Sequence, residues 1–160
     1  MSRPSARDVL ATIETTLDDI VRPAVSGVEA LSALATIGHL LRHVRLRLSF
    51  EADILSSEIS LLTPLVNDIA DWLEGVGAGS LAIPQDRPTS IGVDALAAST
   101  FAWRTAIDEG LEMLQAARAT HGDDPAYRAL RQRIRDYIAT QIIEEARLID
   151  PAFAGKGPRR

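Results

Sequence analysis

The stretch from Val25 to Leu62 reads VSGVEALSALATIGHLLRHVRLRLSFEADILSSEISLL and contains no proline. From Leu31 onward, a row of mainly apolar positions recurs in alternating steps of three and four, which is typical of a helix that packs lengthwise on other helices. This row consists of Leu31, Leu34, Gly38, Leu41, Arg45, Leu48, Ala52, Leu55, Ile59 and Leu62. The stretch therefore predicts one long helix at the centre of an all-α fold.

A second row of residues runs beside the first on the same predicted helix. It consists of Leu40, Val44, Arg47, Glu51, Ile54, Glu58 and Leu61. Two apolar rows indicate a helix that protein surrounds on most sides. Because an unpaired buried charge is costly, the charged residues of this row are expected to pair or to face a solvated cavity.

Proline, glycine and capping residues divide the rest of the chain into further helices. The predicted helices cover 6–21, 25–62, 64–73, 91–119 and 125–149. Ser5 caps the first, Arg22-Pro23 ends it, and Asp123-Asp124-Pro125 starts the last. Pro64, with Thr63 as cap, is expected to begin a new helix rather than to lie in a kinked continuation, and Asp150-Pro151 to end the last helix. The predicted seam of the helix over 91–119 consists of Val93, Leu96, Thr100, Trp103, Ile107, Leu111 and Leu114. The apolar stripe predicted to point inward on the last helix consists of Tyr127, Leu130, Ile134, Tyr137, Ile138, Ile142, Leu148 and Ile149.

The segment from Gly75 to Ser90 reads GVGAGSLAIPQDRPTS and is the one linker-like stretch in the body of the chain. Its glycines and prolines predict a long surface loop that carries the chain back across the bundle, with Thr89 or Ser90 capping the next helix. We therefore expect an antiparallel bundle of four or five helices. One domain spans 1–150, followed by a flexible basic tail over 151–160.

Composition limits the classes of function that this chain supports. Its 160 residues include no cysteine, which excludes disulfides, thiolate catalysis and cysteine-ligated metals. A net charge of −5 argues against nucleic acid as a partner. The amino terminus has no apolar signal core and no stretch is apolar enough to span a membrane, so we expect a cytoplasmic protein without a membrane partner.

The pair His39 and His43 is the first candidate for a metal site. Spaced four apart on a helix, both imidazoles lie on one face, as in metalloprotease helices. Leu40 follows the first histidine where those enzymes place a catalytic glutamate, and no glutamate here precedes a histidine by three residues as in di-metal bundles. We therefore predict no metal and no cofactor.

Charged residues at apolar positions are the stronger candidates for a functional site. In the long helix these are Arg47, Glu51 and Glu58, with His43 beside them, and in the fourth helix Arg104. Arg47 and Glu51 are one turn apart and are expected to pair, and Arg104 is the expected partner of Glu58. One interpretation is a salt-bridge network that fixes helix register. The other is a polar interior pocket for a small anionic ligand, formed by these five residues.

Arginines also form two clusters along the chain. The first contains Arg42, Arg45 and Arg47, and the second contains Arg128, Arg131, Arg133 and Arg135. Such clusters usually form solvated faces with nearby acids. If they converge on one side, they create a surface that attracts a phosphate-bearing ligand or an acidic partner.

The chain also carries a resemblance in its amino-terminal part, to about residue 60. Arg3-Pro4-Ser5-Ala6 leads into Asp8-Val9-Leu10, followed by Leu17, Pro23 and a long Ala/Leu-rich helix with histidine and arginine. This order resembles a family of small uncharacterised bacterial helical proteins encoded beside acyl-CoA dehydrogenases and aminoglycoside-phosphotransferase-like kinases. The resemblance implies a bacterial accessory protein linked to acyl-CoA metabolism or to a kinase-like partner, and it transfers no site residues.

Two functions follow as hypotheses. The first is a non-enzymatic helical accessory protein that works by association, as a homodimer or other homo-oligomer or with a protein partner. It rests on the lack of a catalytic motif and on the excess of apolar surface along the long helix. The alternative is a bundle that binds or transforms a small anionic ligand at His43, Arg47, Glu51, Glu58 and Arg104.

Overall fold

The computed structural model describes residues 4–85 and 92–153, and within these ranges the chain is all-α with no strand. The helices are α1 (Ala6–Thr16), α2 (Arg22–Ala24), α3 (Val28–Gly75), α4 (Val93–His121) and α5 (Pro125–Phe153). A π-helical segment, Leu17–Val21, joins α1 to α2, so that 6–24 form one helical run. The predicted all-α fold with a long central helix is confirmed, and its four helical runs fit the predicted bundle.

The long helix α3 continues through Pro64 and has 48 residues, so the predicted break at this proline is wrong. Proline within a helix costs about 3 kcal/mol. Burying one large aliphatic side chain contributes about 1.5 to 3 kcal/mol, and several flank this proline: Leu62, Leu65, Val66 and Ile69 are each at most 3% exposed. Burial on both sides of Pro64 therefore outweighs its cost, and Thr63, instead of capping, donates its hydroxyl to the carbonyl of Ile59 at 2.8 Å.

The first helical run starts as predicted and ends later than predicted. Ser5 accepts a hydrogen bond from the backbone N–H of Asp8, and the Asp8 carboxylate accepts one from the backbone N–H of Ser5, which completes a capping box. The Ser5 hydroxyl also donates to the Asp8 carboxylate at 2.7 Å, and this bond, followed by that from the Ser5 backbone N–H, lowers the pKa of Asp8. Helical structure continues through Pro23 to Ala24. Before the proline, the N–H of Arg22 bonds to the carbonyl of Leu17, five residues back, so the hydrogen-bond register widens where proline removes a donor.

The last helix also continues past a predicted end. Pro151 lies inside α5, and Ala152 is fully buried. Burial near the end of the helix again accounts for the tolerated proline.

The prediction of a single domain over 1–150 stays a prediction. Residues 154–160 of the predicted tail and the predicted caps Thr89 and Ser90 lie outside the described residues, and Gly92 is the N-cap of α4.

The chain divides into two compact units, and the contiguous one spans Ala52–Ile143. Its core combines the second part of α3 with α4, the first part of α5 and Leu81 of the loop. The fully buried large aliphatic side chains in it are Leu62, Val66, Ile69, Leu73 and Leu114. The predicted seam of α4 is largely confirmed, since Leu96, Thr100, Trp103, Ile107 and Leu114 are buried.

Contacts within this unit give the helix directions. Glu58 of α3 contacts Arg104 of α4, and Trp72, further along α3, contacts His121, further along α4. These two helices therefore run the same way. Trp72 also contacts Tyr127 near the start of α5, whereas Glu58 contacts Tyr137 further on, so α5 runs opposite to α3. The described part of the loop after α3 fits a return along the bundle, because Leu81 packs near Gly110 in the middle of α4.

The start of α5 is fixed by the predicted acidic cap. The carboxylate of Asp124 accepts a hydrogen bond from the indole N–H of Trp72 at 2.9 Å and another from the backbone N–H of Ala126 at 2.9 Å. These bonds, that of Trp72 first, lower the pKa of Asp124. The cap therefore ties the first turn of α5 to the end of α3.

The other unit combines Met1–Glu51 with Glu144–Arg160. Among its described hydrophobic residues, the buried ones are Leu34, Leu148 and Ala152. Polar contacts supplement this small core, because Glu14 of α1 forms ion pairs with Arg42 at 3.4 Å and with Arg45 at 3.3 Å. Ion pairs between α1 and α3 thus supplement the small apolar core of this unit.

Part of the apolar stripe predicted on α5 does not face a core. Ile138, Ile142 and Ile149 are 46%, 65% and 45% exposed, although they were expected to point inward. Tyr127, Leu130, Ile134 and Leu148 are buried as expected. At 100° per residue, these three isoleucines lie along one edge of the buried row, where the packing of the neighbouring helices leaves them in contact with water.

The end of α3 depends on one glycine. Gly77 has φ +67°, its N–H bonds to the carbonyl of Glu74, and the N–H of Ala78 bonds to the carbonyl of Leu73 at 2.8 Å. These two bonds form a Schellman motif.

We expect Gly77→Ala to lower the free energy of unfolding by about 1 to 2 kcal/mol, because an L-residue with a Cβ atom is strained in this left-handed conformation. Urea unfolding followed by circular dichroism measures the change. Gly75→Ala is the control, since Gly75 lies within α3 and no atom is within 4 Å of an added Cβ. An equal or larger loss in the control would contradict the role given to Gly77.

Candidate functional site

The most elaborate polar contact in the Ala52–Ile143 unit surrounds Glu58 on α3. Its side chain is fully buried, and its carboxylate accepts two hydrogen bonds from Arg104 of α4, one from Nε at 2.6 Å and one from Nη2 at 2.8 Å. Tyr137 of α5 donates its hydroxyl to Glu58 Oε1 at 2.7 Å. One carboxylate thus connects three helices, and the predicted partnership of Glu58 with Arg104 is confirmed.

The electrostatics of this cluster keep Arg104 charged and Tyr137 neutral at neutral pH. Hydrogen bonding to Glu58 raises the pKa of Arg104, which stays charged. Burial, followed by the hydrogen bond to Glu58, raises the pKa of Tyr137, which stays neutral and able to donate. Because the pKa of Tyr137 is raised on folding, its contribution to stability is complete below its ordinary range and is lost only as pH rises through the raised value.

The buried side-chain polar atoms of the cluster are all hydrogen-bonded. Throughout the described part of the chain, no buried side-chain nitrogen or oxygen lacks a hydrogen-bond partner. A cavity of about 250 Å³ lies beside Tyr137, lined also by Pro64, Leu65, Asp136 and Thr140, and none of the five predicted ligand-binding residues lines it. The geometry around Glu58 is that of a hydrogen-bonded ion pair between α3 and α4.

The remaining predicted site residues lie in the other unit. Arg47 donates to Glu51 at 2.8 Å, as their spacing predicted. Arg47 is half exposed, so this pair contributes little to stability. The binding of an anionic ligand by His43, Arg47, Glu51, Glu58 and Arg104 stays a prediction.

His39 and His43 both bond to backbone carbonyls of α5. Nδ1 of His39 lies 2.9 Å from the carbonyl oxygen of Ala152, and Nδ1 of His43 lies 3.3 Å from that of Leu148. A carbonyl oxygen only accepts, so each Nδ1 carries the hydrogen and donates it. Arg42 Nη2 lies 3.3 Å from the same nitrogen of His39. Since that nitrogen already carries a hydrogen, the arginine is a neighbouring charge there rather than its donor.

The matched spacing explains this pairing. The histidines are four apart on α3 and their acceptors are four apart on α5, so two antiparallel helices present them at the same interval. Ala152 is the residue before the last one of α5, and the last carbonyls of a helix receive no hydrogen bond from an N–H of the same helix. His39 supplies a donor to the carbonyl of Ala152. Within residues 4–85 and 92–153, no group of three or more His, Asp or Glu side chains is placed to hold a metal ion.

The amino-terminal part of α3 leaves one apolar face uncovered. We call it the α3 seam and define it as Ala30, Ala33, Ile37, Leu40, Val44 and Leu48. Its large members are exposed: Ile37 at 43%, Leu40 at 55%, Val44 at 45% and Leu48 at 56%. Leu40 and Val44 belong to the second apolar row, which was predicted to be covered by protein. Within this unit α1 and α5 contact other faces of α3, through Arg42 and Arg45 and through the two histidines.

Three contacts of these residues were missed from the sequence, one made by Tyr137 and two by the histidines. Tyr137 was assigned to the apolar stripe, although a buried tyrosine usually needs a partner for its hydroxyl and Glu58 was the obvious buried acceptor. The carbonyl acceptors of the histidines carry no sequence signal, because every residue has a carbonyl. Side-chain chemistry therefore identified one half of each contact only.

Comparison with protein-family models, with curated proteins and with solved structures finds no match to this chain. The resemblance to a bacterial helical family stays a prediction. Over the described residues, no helix combines the length and the apolar character needed to cross a membrane.

Proposed function

We propose that this protein is a non-enzymatic accessory module of the bacterial cytoplasm that works by association, and that the α3 seam binds the same seam of a second copy. The observation that carries this proposal is the exposure of Ile37, Leu40, Val44 and Leu48 on one face of a single helix. Contiguous exposed apolar patches mark interaction surfaces.

The spacing of the α3 seam supports a two-fold antiparallel pairing. Its first five positions, from Ala30 to Val44, advance in steps of three and four, which is the spacing of a coiled-coil seam. If the two-fold axis passes midway between positions 37 and 40, Ile37 of one copy lies opposite Leu40 of the other copy. The same operation places Ala33 opposite Val44, so that a small side chain faces a large one.

Charge at the ends of the α3 seam supports the same orientation. In the antiparallel arrangement, Arg47 of one copy lies opposite Ala30 of the other, next to Glu29. Glu29 lies in the first turn of α3 and Arg47 is half exposed. Two-fold symmetry thus places Glu29 of one copy near Arg47 of the other at both ends of the seam. Parallel pairing would instead bring like charges together.

The size of the seam determines the expected strength. From Ala30 to Leu48 the helix extends about 27 Å, and a contact about 10 Å wide covers roughly 300 Å² on each copy. Stable interfaces bury about 800 Å² on each partner. We therefore expect a reversible dimer whose population rises with concentration.

Sedimentation velocity over a range of concentrations tests the proposal. We expect the mass to rise from 17.3 kDa toward twice that value. Leu40→Glu at the centre of the α3 seam should leave a monomer at every concentration, because dimerisation would bury the new charge. Phe101→Glu is the matched control, since Phe101 is 72% exposed on α4 and lies outside the seam.

Charge reversal tests the orientation. Glu29→Arg or Arg47→Glu alone should weaken the dimer, and the two together should restore it. A wild-type protein that stays monomeric at all concentrations contradicts self-association, and a dimer that Leu40→Glu leaves intact contradicts the assigned surface. A dimer lost in Leu40→Glu without rescue by the double reversal contradicts the antiparallel orientation.

A further inference from the structure

An arginine-lined cavity lies where α4 ends and α5 begins, within the Ala52–Ile143 unit. Its volume is about 620 Å³. The side chains that line it are mainly cationic and polar: Arg118, Arg128, Arg131, Arg135, Tyr127 and Gln132. Of the arginines, one comes from the last turns of α4 and the others from α5.

Helix geometry separates these arginines from their neighbour in sequence. Residues 128, 131 and 135 are three and four positions apart, so they share one face of α5. Arg133 lies on another face and pairs with Asp68 of α3. The short turn before Pro125 then brings Arg118 to the first group. Three arginines of the cluster noted in the sequence thus converge with one that the sequence did not connect to them.

The cavity holds more positive charge than its surroundings neutralise. Arg128 contacts the carboxylate of Asp123 at 3.4 Å, and both side chains are exposed. Arg135 donates to the neutral side chain of Gln132 at 3.2 Å. Among the described residues, Arg118, Arg131 and Arg135 form no ion pair with a carboxylate. This local excess contrasts with the net charge of −5 of the whole chain.

Mutual repulsion between guanidinium groups is relieved when an anion binds between them. Guanidinium groups match phosphate oxygens in a two-pronged geometry, and several together select a ligand with several phosphate groups. A volume of a few hundred Å³ is that of a small-molecule site. The buried ring of Tyr127, 5% exposed, provides an apolar wall on one side.

We infer that this cavity binds a small molecule that carries two or more phosphate groups, held by Arg118, Arg128, Arg131 and Arg135. A nucleic acid is disfavoured, because an acidic protein repels a long phosphodiester chain beyond the cavity itself. The inference is independent of the proposed self-association, since it concerns α4 and α5 rather than the α3 seam.

Isothermal titration calorimetry with sodium tripolyphosphate tests the inference on the full chain. We expect one ligand per chain, binding tighter than inorganic phosphate, and affinity that falls as salt rises. Arg131→Gln and, separately, Arg135→Gln should each weaken binding about tenfold, because each removes a hydrogen-bonding cation from the ligand. Arg133→Gln is the matched control: it removes the same charge from the same helix, and binding should change less than twofold.

Three results would overturn the inference. The first is no binding of tripolyphosphate at low salt by wild-type protein with a native circular dichroism spectrum. The second is equal weakening in Arg133→Gln and in the two cavity variants, which would indicate general charge attraction. The third is a single-stranded oligonucleotide that binds while tripolyphosphate fails to displace it. Arg135 is exposed, so its variant keeps the test decisive if Arg131→Gln does not fold.

Discussion

Arg104→Met is expected to lower the free energy of unfolding by about 3 to 5 kcal/mol, the range found when one partner of a buried ion pair is removed. The carboxylate of Glu58 is fully buried, whereas 47% of the Arg104 side chain is exposed. The variant keeps an apolar stem at position 104 and leaves the buried charge with the Tyr137 hydroxyl as its remaining side-chain donor. Urea unfolding monitored by circular dichroism measures the loss.

Arg133→Met is the matched control for this prediction. Arg133 also pairs with an acid of α3, but both it and Asp68 are more than 40% exposed. Breaking that pair should cost less than about 1 kcal/mol. Replacing Glu58, Arg104 and Tyr137 together by leucine, methionine and phenylalanine should recover most of the loss, because no buried charge remains. Equal losses in Arg104→Met and Arg133→Met would contradict the importance given to the burial of Glu58.

The second large effect is expected from Leu62→Ala, which should lower the free energy of unfolding by about 2 to 5 kcal/mol. Leu62 is 0% exposed in the core that α3 shares with α4 and α5. The smaller side chain loses apolar burial and leaves a cavity that the surrounding helices only partly fill. Thermal and urea unfolding of the purified variant measure the change.

Leu61→Ala provides a control one residue away in the same helix. Leu61 is 47% exposed, so the same substitution should cost less than about 1 kcal/mol. The two variants differ in burial but not in chemistry or helix propensity. A loss for Leu61→Ala as large as that for Leu62→Ala would mean that the face carrying Leu61 is covered in solution.

The sequence was most informative where the signal is local. Ser5 and Asp124-Pro125 begin helices as predicted, because a cap depends on a few adjacent residues. The Glu58–Arg104 pair was predictable for a different reason. A buried acid needs a counter-charge, and few arginines lie at an apolar position on another helix.

The ends of helices at proline were predicted less well. Pro23, Pro64 and Pro151 all lie within helical structure, although each was expected to mark a boundary. The proline rule describes the cost to an isolated helix and omits what the flanking side chains gain when they are buried. At Pro64 that gain comes from residues of α4 and α5, which local spacing does not reveal.

The candidate sites show the same limit. The row of Leu40 and Val44 was correctly identified as apolar, but the sequence does not say whether a neighbouring helix of the same chain covers it. The cavity arginines of α5 were noted as a cluster, whereas Arg118 joins them through a tertiary turn. Periodicity thus assigns a residue to a face, and only packing determines what that face meets.

The histidine contacts also have a consequence for the order in which contacts form during synthesis. They connect positions 113 and 105 residues apart, whereas the Ala52–Ile143 unit is one continuous segment. At a synthesis rate of about 5 to 20 residues per second, the carbonyls that bind His39 and His43 are made roughly 5 to 20 s after the histidines. These two hydrogen bonds therefore form only after the whole Ala52–Ile143 segment has been synthesised.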